Sequence, residues 1–371
     1  MKQVYIIDYI RTPIAKFQGG LSEVRADDLA AIVLKEIVKR NPQIPAEEIE
    51  DVILGCANQA GEDNRNVARM ASLLAELPIK IGGETVNRLC ASGMAAIANA
   101  YRAIAIGEGD FYIAGGVEQM TRAPYVLSKS AQPFGRDVQL FDSSFGWRFV
   151  NPKMKELYGV DGMGETAENL AEIYKISREA QDEFALHSQQ KATSAQNSGR
   201  LAQEIVNVEV PQKKGEPKIF SQDEFVKPDT TLDKLAKLRP AFKKEGGSVT
   251  AGNSSGLNDG AAAMILASED AVKKYNLKPL AKIISSAVVG VEPRIMGIGP
   301  VEATKKALSR ANLSLEDMDI IELNEAFAAQ ALSVLQELGI DAKDERLNPN
   351  GGAIALGHPL GMSGTRIVGT A

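Results

Sequence analysis

The sequence predicts an α/β protein: a parallel or mixed sheet covered by helices on both faces, arranged as two similar halves around an inserted region. Three observations predict it. Apolar strand patterns alternate with amphipathic helix patterns at both ends of the chain. Residues 121–248 break that rhythm with polar stretches and several prolines. A strand, turn and helix around Cys90 has a counterpart late in the chain around His358, a likeness of pattern that points to internal duplication.

The elements follow in order. Lys2 to Ile10 reads as a first strand, and Ala26 to Lys39 as an amphipathic helix. Asp51 to Gly55 is a short buried-type strand, Asn66 to Ala75 a helix, and Glu84 to Val86 the end of a further strand. Met94 to Ile106 is an Ala-rich helix, and Asp110 to Gly116 a strand buried on both faces. The inserted region carries helices at Glu165 to Tyr174 and Arg178 to Asn197. The alternation resumes with strands at Gly260 to Leu266, Ala281 to Ile284 and Ile320 to Leu323, and with helices at Val301 to Ala311 and Ala326 to Leu338, ahead of a Gly-rich turn at Asn350 to Gly357.

Composition narrows the class. Of 371 residues, 44% are apolar, 24% charged and only 5% aromatic, ordinary values for a close-packed globular chain. A net charge of −6 gives no electrostatic footprint for nucleic acid. Two cysteines and two histidines supply neither a disulfide framework nor a Cys/His metal site, so the expectation is a reducing, cytoplasmic setting. The N-terminal apolar run is too short for a signal peptide, and no stretch is expected to reach the length of a membrane span.

Cys90 lies in Asn87-Arg88-Leu89-Cys90-Ala91-Ser92-Gly93-Met94, between a strand and a helix. Free N–H groups and the positive end of the helix dipole favour a thiolate there, which suits a nucleophile that forms a thioester; a lone cysteine is otherwise a small buried residue. His358 lies in Gly357-His358-Pro359-Leu360-Gly361, where glycines permit close ligand approach, and it is a candidate to take the Cys90 proton. His187 sits in a charged helix pattern and reads as a surface or partly buried residue. Asn324 follows a strand pattern, as an oxyanion or water donor or as a helix cap. Residues 250–256 read as a tight loop against a ligand or as a polar turn.

Taken together, these segments resemble the thiolase family over essentially the whole chain. The resemblance rests on Arg11-Thr12-Pro13, the Cys90 segment, Ala114-Gly115-Gly116-Val117-Glu118-Gln119-Met120, residues 250–263, Asn324-Glu325-Ala326-Phe327-Ala328 and residues 351–364. Residues 55–69 and Gly146-Trp147-Arg148-Phe149-Val150-Asn151-Pro152 resemble the 3-oxoadipyl-CoA branch, in which Cys56 reads as a small structural thiol.

The resemblance implies a five-layer αβαβα sandwich of two duplicated halves. Residues 1–120, completed by about 249–275, form the N-terminal half; residues 121–248 cover the coenzyme A tunnel; residues 276–371 form a C-terminal half expected to be incomplete. It implies an acyltransferase that cleaves a 3-oxoacyl-CoA with CoA in the breakdown of aromatic compounds, CoA being a substrate, with no resident cofactor and no metal. Cys90 is then the acylated nucleophile, His358 its activator, and Asn324 the holder of an oxyanion-site water. Met163, Phe242, Ala251, Ser255, Ala326 and Phe327 line the pantetheine tunnel, and Lys227 and Lys234 meet the nucleotide end. Gly162-Met163 stands where many acetoacetyl-CoA thiolases carry His-Met, which leaves room for a larger acyl group. The family also carries a catalytic cysteine about thirty residues past the histidine; this sequence ends at Ala371, so acylation without C–C bond formation is expected. Homodimers or homotetramers are expected, without nucleic-acid or membrane partners. The alternatives are a thiolase for acetoacetyl or medium-chain substrates, or a CoA-binding protein without this chemistry.

Overall fold

A computed structural model describes residues 1–371. The chain opens with β1 (Val4–Arg11), β2 (Ala15–Lys16), α1 (Ala26–Arg40), β3 (Ile49–Gly55), α2 (Val67–Leu74), β4 (Glu84–Val86), α3 (Ser92–Ile106) and β5 (Phe111–Gln119). The inserted region holds two small hairpins, β6 (Tyr125–Leu127) with β7 (Leu140–Asp142) and β8 (Val208–Val210) with β9 (Lys218–Phe220). Its helices are α4 (Pro152–Tyr158), α5 (Met163–Ile173), α6 (Arg178–Asn197) and α7 (Leu232–Ala236). There follow β10 (Asn258–Ser268), α8 (Glu269–Lys274), β11 (Ala281–Lys282), α9 (Gly299–Ala311), α10 (Ala328–Leu338), α11 (Ala353–Leu356) and α12 (Leu360–Thr370).

One mixed sheet organises the molecule, in the order β11-β1-β10-β5-β3-β4, with β2 also paired to β10. Pairing is antiparallel from β11 to β5 and parallel from β5 to β4. Period-2 alternation sorts the side chains. Ala261, Ala263 and Ile265 of β10 join Ile113 of β5 and Leu29, Leu34 and Ile37 of α1 in one core. Ala262, Met264 and Leu266 join Ala114 and the Ala96, Ala100 and Ile104 face of α3 in the other, which also receives Met362 of α12.

Arg11, at the end of β1, locks the inserted region to this sheet. Its guanidinium is fully buried, pairs with Glu204 at 2.7 Å, and grips Asp223 through two hydrogen bonds of 2.7 and 2.9 Å. Arg200 also pairs with Glu204, at 3.1 Å, so Asp223 is the carboxylate that depends on Arg11 alone in this dry site.

Three expectations are corrected. Ile320 to Leu323 forms no ladder and contributes only a bridge from Ile321 to Leu347, and of Ala281 to Ile284 only Ala281–Lys282 is a strand, added to the first sheet. An extended segment becomes a strand only where a neighbour takes its N–H and C=O groups along its length, and here the pairing stops after β11 on β1 and after the single bridge at Ile321. The third correction concerns span length: Leu89–Ile106 is long and apolar enough by composition to cross a membrane. Part of its apolarity is used inside the protein, where α3 covers the sheet and packs on α12, while Leu89, Met94 and Ile106 stay exposed.

Candidate active site

Alternation along β5 aims its even-numbered residues at α3 and α12. At Gly116 the approach is so close that a Cβ would stand 1.9 Å from the Gly361 carbonyl oxygen, so only glycine fits. Two residues on, Glu118 is buried and points the same way. One of its oxygens accepts from Ala57 N at 3.0 Å and Gly361 N at 2.8 Å, and the other from Asn58 N at 3.0 Å. Burial raises its carboxyl to about 7 despite those donors.

Cys90 precedes α3 in a tight turn. Leu89 is left-handed, with φ 48°, and the Ser92 hydroxyl brackets the turn by accepting from Arg88 N and donating to Leu89 O. His358 precedes α12 in the corresponding place. The N-terminal ends of the two helices meet in backbone contact: a Cβ on Gly93 would lie 2.7 Å from Gly361 O, and one on Gly364 2.3 Å from Met94 N. Small residues at this crossing bring the two turns together.

The tutelage of His358 is complete. Its backbone N–H donates to Asn258 Oδ1 at 2.9 Å, its Nδ1 is 2.7 Å from Ser363 Oγ, and its Nε2 is 3.3 Å from Asn324 Nδ2. Because the Ser363 hydroxyl donates to Pro359 O, it accepts from Nδ1–H, which leaves the Nε2 lone pair as the basic position facing Asn324. Burial, reinforced by the Arg366 charge, lowers the imidazole to about 4, so it is neutral at pH 7. The Cys90 thiol, on a residue that stays partly exposed, is pushed up to about 11, chiefly by desolvation with a small push from Glu118. Desolvation thus outweighs the helix-terminus effect read from the sequence, and ionisation of this thiol needs a base beside it.

Asn324 does not cap a helix. The helix begins later, at Ala328, and Asn324 Oδ1 is buried without a hydrogen-bond partner. The following Glu325 accepts from Ser188 Oγ, Asn348 Nδ2 and Ile354 N, tying this segment to the Gly-rich turn before His358. Residues 250–256 fold back on themselves, with Thr250 N donating to Asn253 Oδ1 at 2.7 Å. Ser255 donates through both N–H and hydroxyl to Ala326 O, at 2.9 and 3.1 Å.

Lys227, Lys234 and Ala251 share the wall of a cavity of about 300 Å³, with Gln189, Leu238 and Ile354. Lys227 Nζ stands 4.7 Å from the centre of the Phe225 ring, whereas Lys234 is paired with Asp229 at 2.5 Å. Phe242 and Phe327 meet edge to face at 6.0 Å, and Phe242 lies over Gly164, beside Met163 at the start of α5. Ala326 presents its carbonyl to Ser255.

Four supporting residues escaped the sequence reading. For Glu118 a signal exists: an acid beside an apolar, two-face-buried strand must have partners. Asn258, Ser363 and Arg366 carry no such signal. Arg366 is buried, paired with Glu322 at 2.9 Å, and known for its effect on His358 only through tertiary proximity. Cys56, Asp63 and Glu118 also gather within metal-ligating distance of one another. Backbone N–H groups already occupy both carboxylates, and Cys56 is fully buried with its thiol raised well above the ordinary range.

Comparison with known proteins agrees with this architecture. Residues 4–270 match the family model described as thiolase, N-terminal domain, and residues 277–371 that described as thiolase, C-terminal domain. The chain is 59% identical over 367 residues to the 3-oxoadipyl-CoA/3-oxo-5,6-dehydrosuberyl-CoA thiolase of Escherichia coli K12, covering 99% of this chain and 91% of that protein. It is 60% identical over 370 residues to the β-ketoadipyl-CoA thiolase of Pseudomonas knackmussii, covering 100% and 92%. Among solved structures, the Bacillus anthracis acetyl-CoA acetyltransferase superposes with a TM-score of 0.92 at 43% identity, covering 100% of this chain and 91% of that one. The human mitochondrial 3-ketoacyl-CoA thiolase in complex with CoA gives 0.90 at 41%, covering 100% and 90%.

Proposed function

The chain belongs to the thiolase family, and on that premise we propose that it cleaves 3-oxoadipyl-CoA with CoA, giving succinyl-CoA and acetyl-CoA, in the catabolism of aromatic compounds. The observation that carries the chemistry is a neutral His358, its Nδ1 held by Ser363 and its Nε2 beside Asn324, on a turn packed against the one that bears Cys90.

In this reading His358 takes the Cys90 proton and the sulfur attacks the 3-keto carbon. The C2–C3 bond breaks, the carbanion takes up the proton that His358 received from Cys90 and leaves as acetyl-CoA, and a succinyl thioester remains on Cys90. His358 then takes the proton of the CoA thiol, whose sulfur attacks the thioester, and passes that proton to the departing Cys90 sulfur as succinyl-CoA leaves. Negative charge develops on a carbonyl oxygen in both halves, and His358 with an Asn324-held water is the donor pair for one of them, the Cys90 N–H serving the other. CoA enters as a substrate and no resident cofactor is invoked. Met163, Phe242, Ala251, Ser255, Ala326 and Phe327 flank its pantetheine arm, and Lys227 and Lys234 its phosphates; the shared cavity wall of Lys227, Lys234 and Ala251 supports this.

A cytoplasmic homodimer or homotetramer belongs to the same reading. The unpaired edge of β4 and the exposed Met70, Leu73, Leu89 and Met94 nearby support assembly. Light scattering tests it.

The decisive experiment is intact-mass analysis after incubation with 3-oxoadipyl-CoA. A succinyl adduct is expected on the native chain and none on Cys90→Ser, with adduct formation slowed about 10²–10³-fold in Asn324→Ala. Acetyl-CoA release by Cys90→Ser sinks the mechanism.

A further inference from the structure

We propose that Arg148 recognises the distal carboxylate of the acyl chain and thereby sets the preference for a dicarboxylic 3-oxoacyl-CoA; this rests on the substrate reading above. Arginines elsewhere in the chain that reach a carboxylate do so at short range, as Arg11, Arg122, Arg178 and Arg366 illustrate. Arg148 is half-buried and reaches none. Its hydrogen bonds are three long ones to uncharged oxygens: Ser143 O at 3.3 Å, Asn58 O at 3.3 Å and Asn58 Oδ1 at 3.4 Å. A guanidinium withdrawn from water with only such partners retains most of its capacity for a bidentate anion.

Its position fits that anion to the reaction. Asn58 belongs to the loop that joins the two catalytic turns: Asn58 N and Ala57 N are held by the Glu118 carboxylate that also holds Gly361, and Ala57 O accepts from Asn87 Nδ2, three residues before Cys90. Arg148 therefore sits on the loop that spans the Cys90 and His358 turns. The distal carboxylate of a 3-oxoadipyl chain is three carbon–carbon bonds from the carbon that Cys90 attacks, so it stays close to that loop while the carbonyl reacts.

The segment that presents Arg148 is built to hold it. Gly146 and Phe149, on either side of the Trp147-Arg148 tip, have positive φ of 80° and 52°, and for phenylalanine that backbone is strained. Two contacts brace the tip, whose side chains are about half exposed: Phe149 meets Phe141 edge to face at 5.0 Å, and Trp147 Nε1 donates to Asp161 O at 3.2 Å. Those two contacts and the three hydrogen bonds of Arg148 limit the freedom of its side chain, so less entropy is lost when it pairs.

The test compares kcat/KM for 3-oxoadipyl-CoA with that for 3-oxohexanoyl-CoA, which has the same chain length and no distal charge, in the native enzyme, Arg148→Gln, Arg148→Lys and Arg88→Gln. Arg148→Gln is expected to lose about 100-fold on 3-oxoadipyl-CoA and to stay within about threefold on 3-oxohexanoyl-CoA, with Arg148→Lys between. Equal losses on both substrates mark a merely structural residue and overturn the proposal. So does an unchanged substrate ratio in Arg148→Gln, or a shift of the ratio in Arg88→Gln, the exposed arginine two residues from Cys90, in place of Arg148. A native enzyme without preference for the dicarboxylic chain overturns the substrate reading itself, whatever the variants do.

Discussion

The Glu118 carboxylate and the backbone N–H of Gly361 meet at 2.8 Å, and through that bond a strand of the sheet fixes the helix that begins just after His358. The same carboxylate holds Ala57 N and Asn58 N, so one buried acid sets the spacing of two loops that bear on the reaction. Glutamine offers one acceptor oxygen where these three donors share two.

Glu118→Gln is therefore expected to cost about 1–3 kcal/mol of stability, from donors left unsatisfied in a dry site, and to lower kcat by about 10–100-fold through misplacement of the His358 turn. Urea unfolding measures the first and steady-state kinetics the second. Native stability together with native kcat refutes the clamp.

Acid should weaken the fold through His358. Its imidazole is lowered to about 4 when folded, against an ordinary 6.5, so between those values the unfolded chain binds a proton that the folded chain refuses. The sign follows: the contribution is intact above about pH 6.5 and is lost as pH falls to about 4, amounting to about 3 kcal/mol at most. Glu118 and Glu322, both raised to about 7 by burial, act in the opposite sense, favouring the folded state below pH 7. The advantage of the native chain over His358→Asn should accordingly shrink between pH 7 and pH 4, which urea titrations at several pH values detect; a constant difference contradicts it.

Removing Arg11 strands the buried carboxylate of Asp223 and leaves Glu204 only Arg200 as a cation, at 3.1 Å. Arg11→Met is expected to cost about 3–5 kcal/mol, seen as a lower urea midpoint, because Asp223 loses its cation where water cannot replace it and Glu204 loses the shorter of its two ion pairs. A loss below about 1 kcal/mol refutes the lock.

Periodicity and punctuation made most elements legible. The helix read at Arg178 to Asn197 is α6 with the same bounds, and β1, β3, β5 and β10 all contain the apolar cores that suggested them. These signals are local: a strand buried on both faces must be apolar throughout, and a helix on a sheet must repeat its apolar face. Ile320 to Leu323 has the same local signal and forms no ladder, because a strand needs a neighbour along its length and only Ile321 is bridged, to Leu347.

By itself the sequence determined the α/β class, the family, and the candidates Cys90, His358 and Asn324, since each is a residue type whose chemistry is written in its own side chain and immediate neighbours. Only the tertiary structure decided how they are tuned. The helix-start position of Cys90 argued for a ready thiolate, yet desolvation raises the thiol to about 11; the tautomer of His358 hangs on Ser363, its charge on burial and Arg366, and its place on Glu118, far away along the chain. Desolvation and hydrogen bonding depend on what surrounds a group in space, and spacing along the chain does not carry that information.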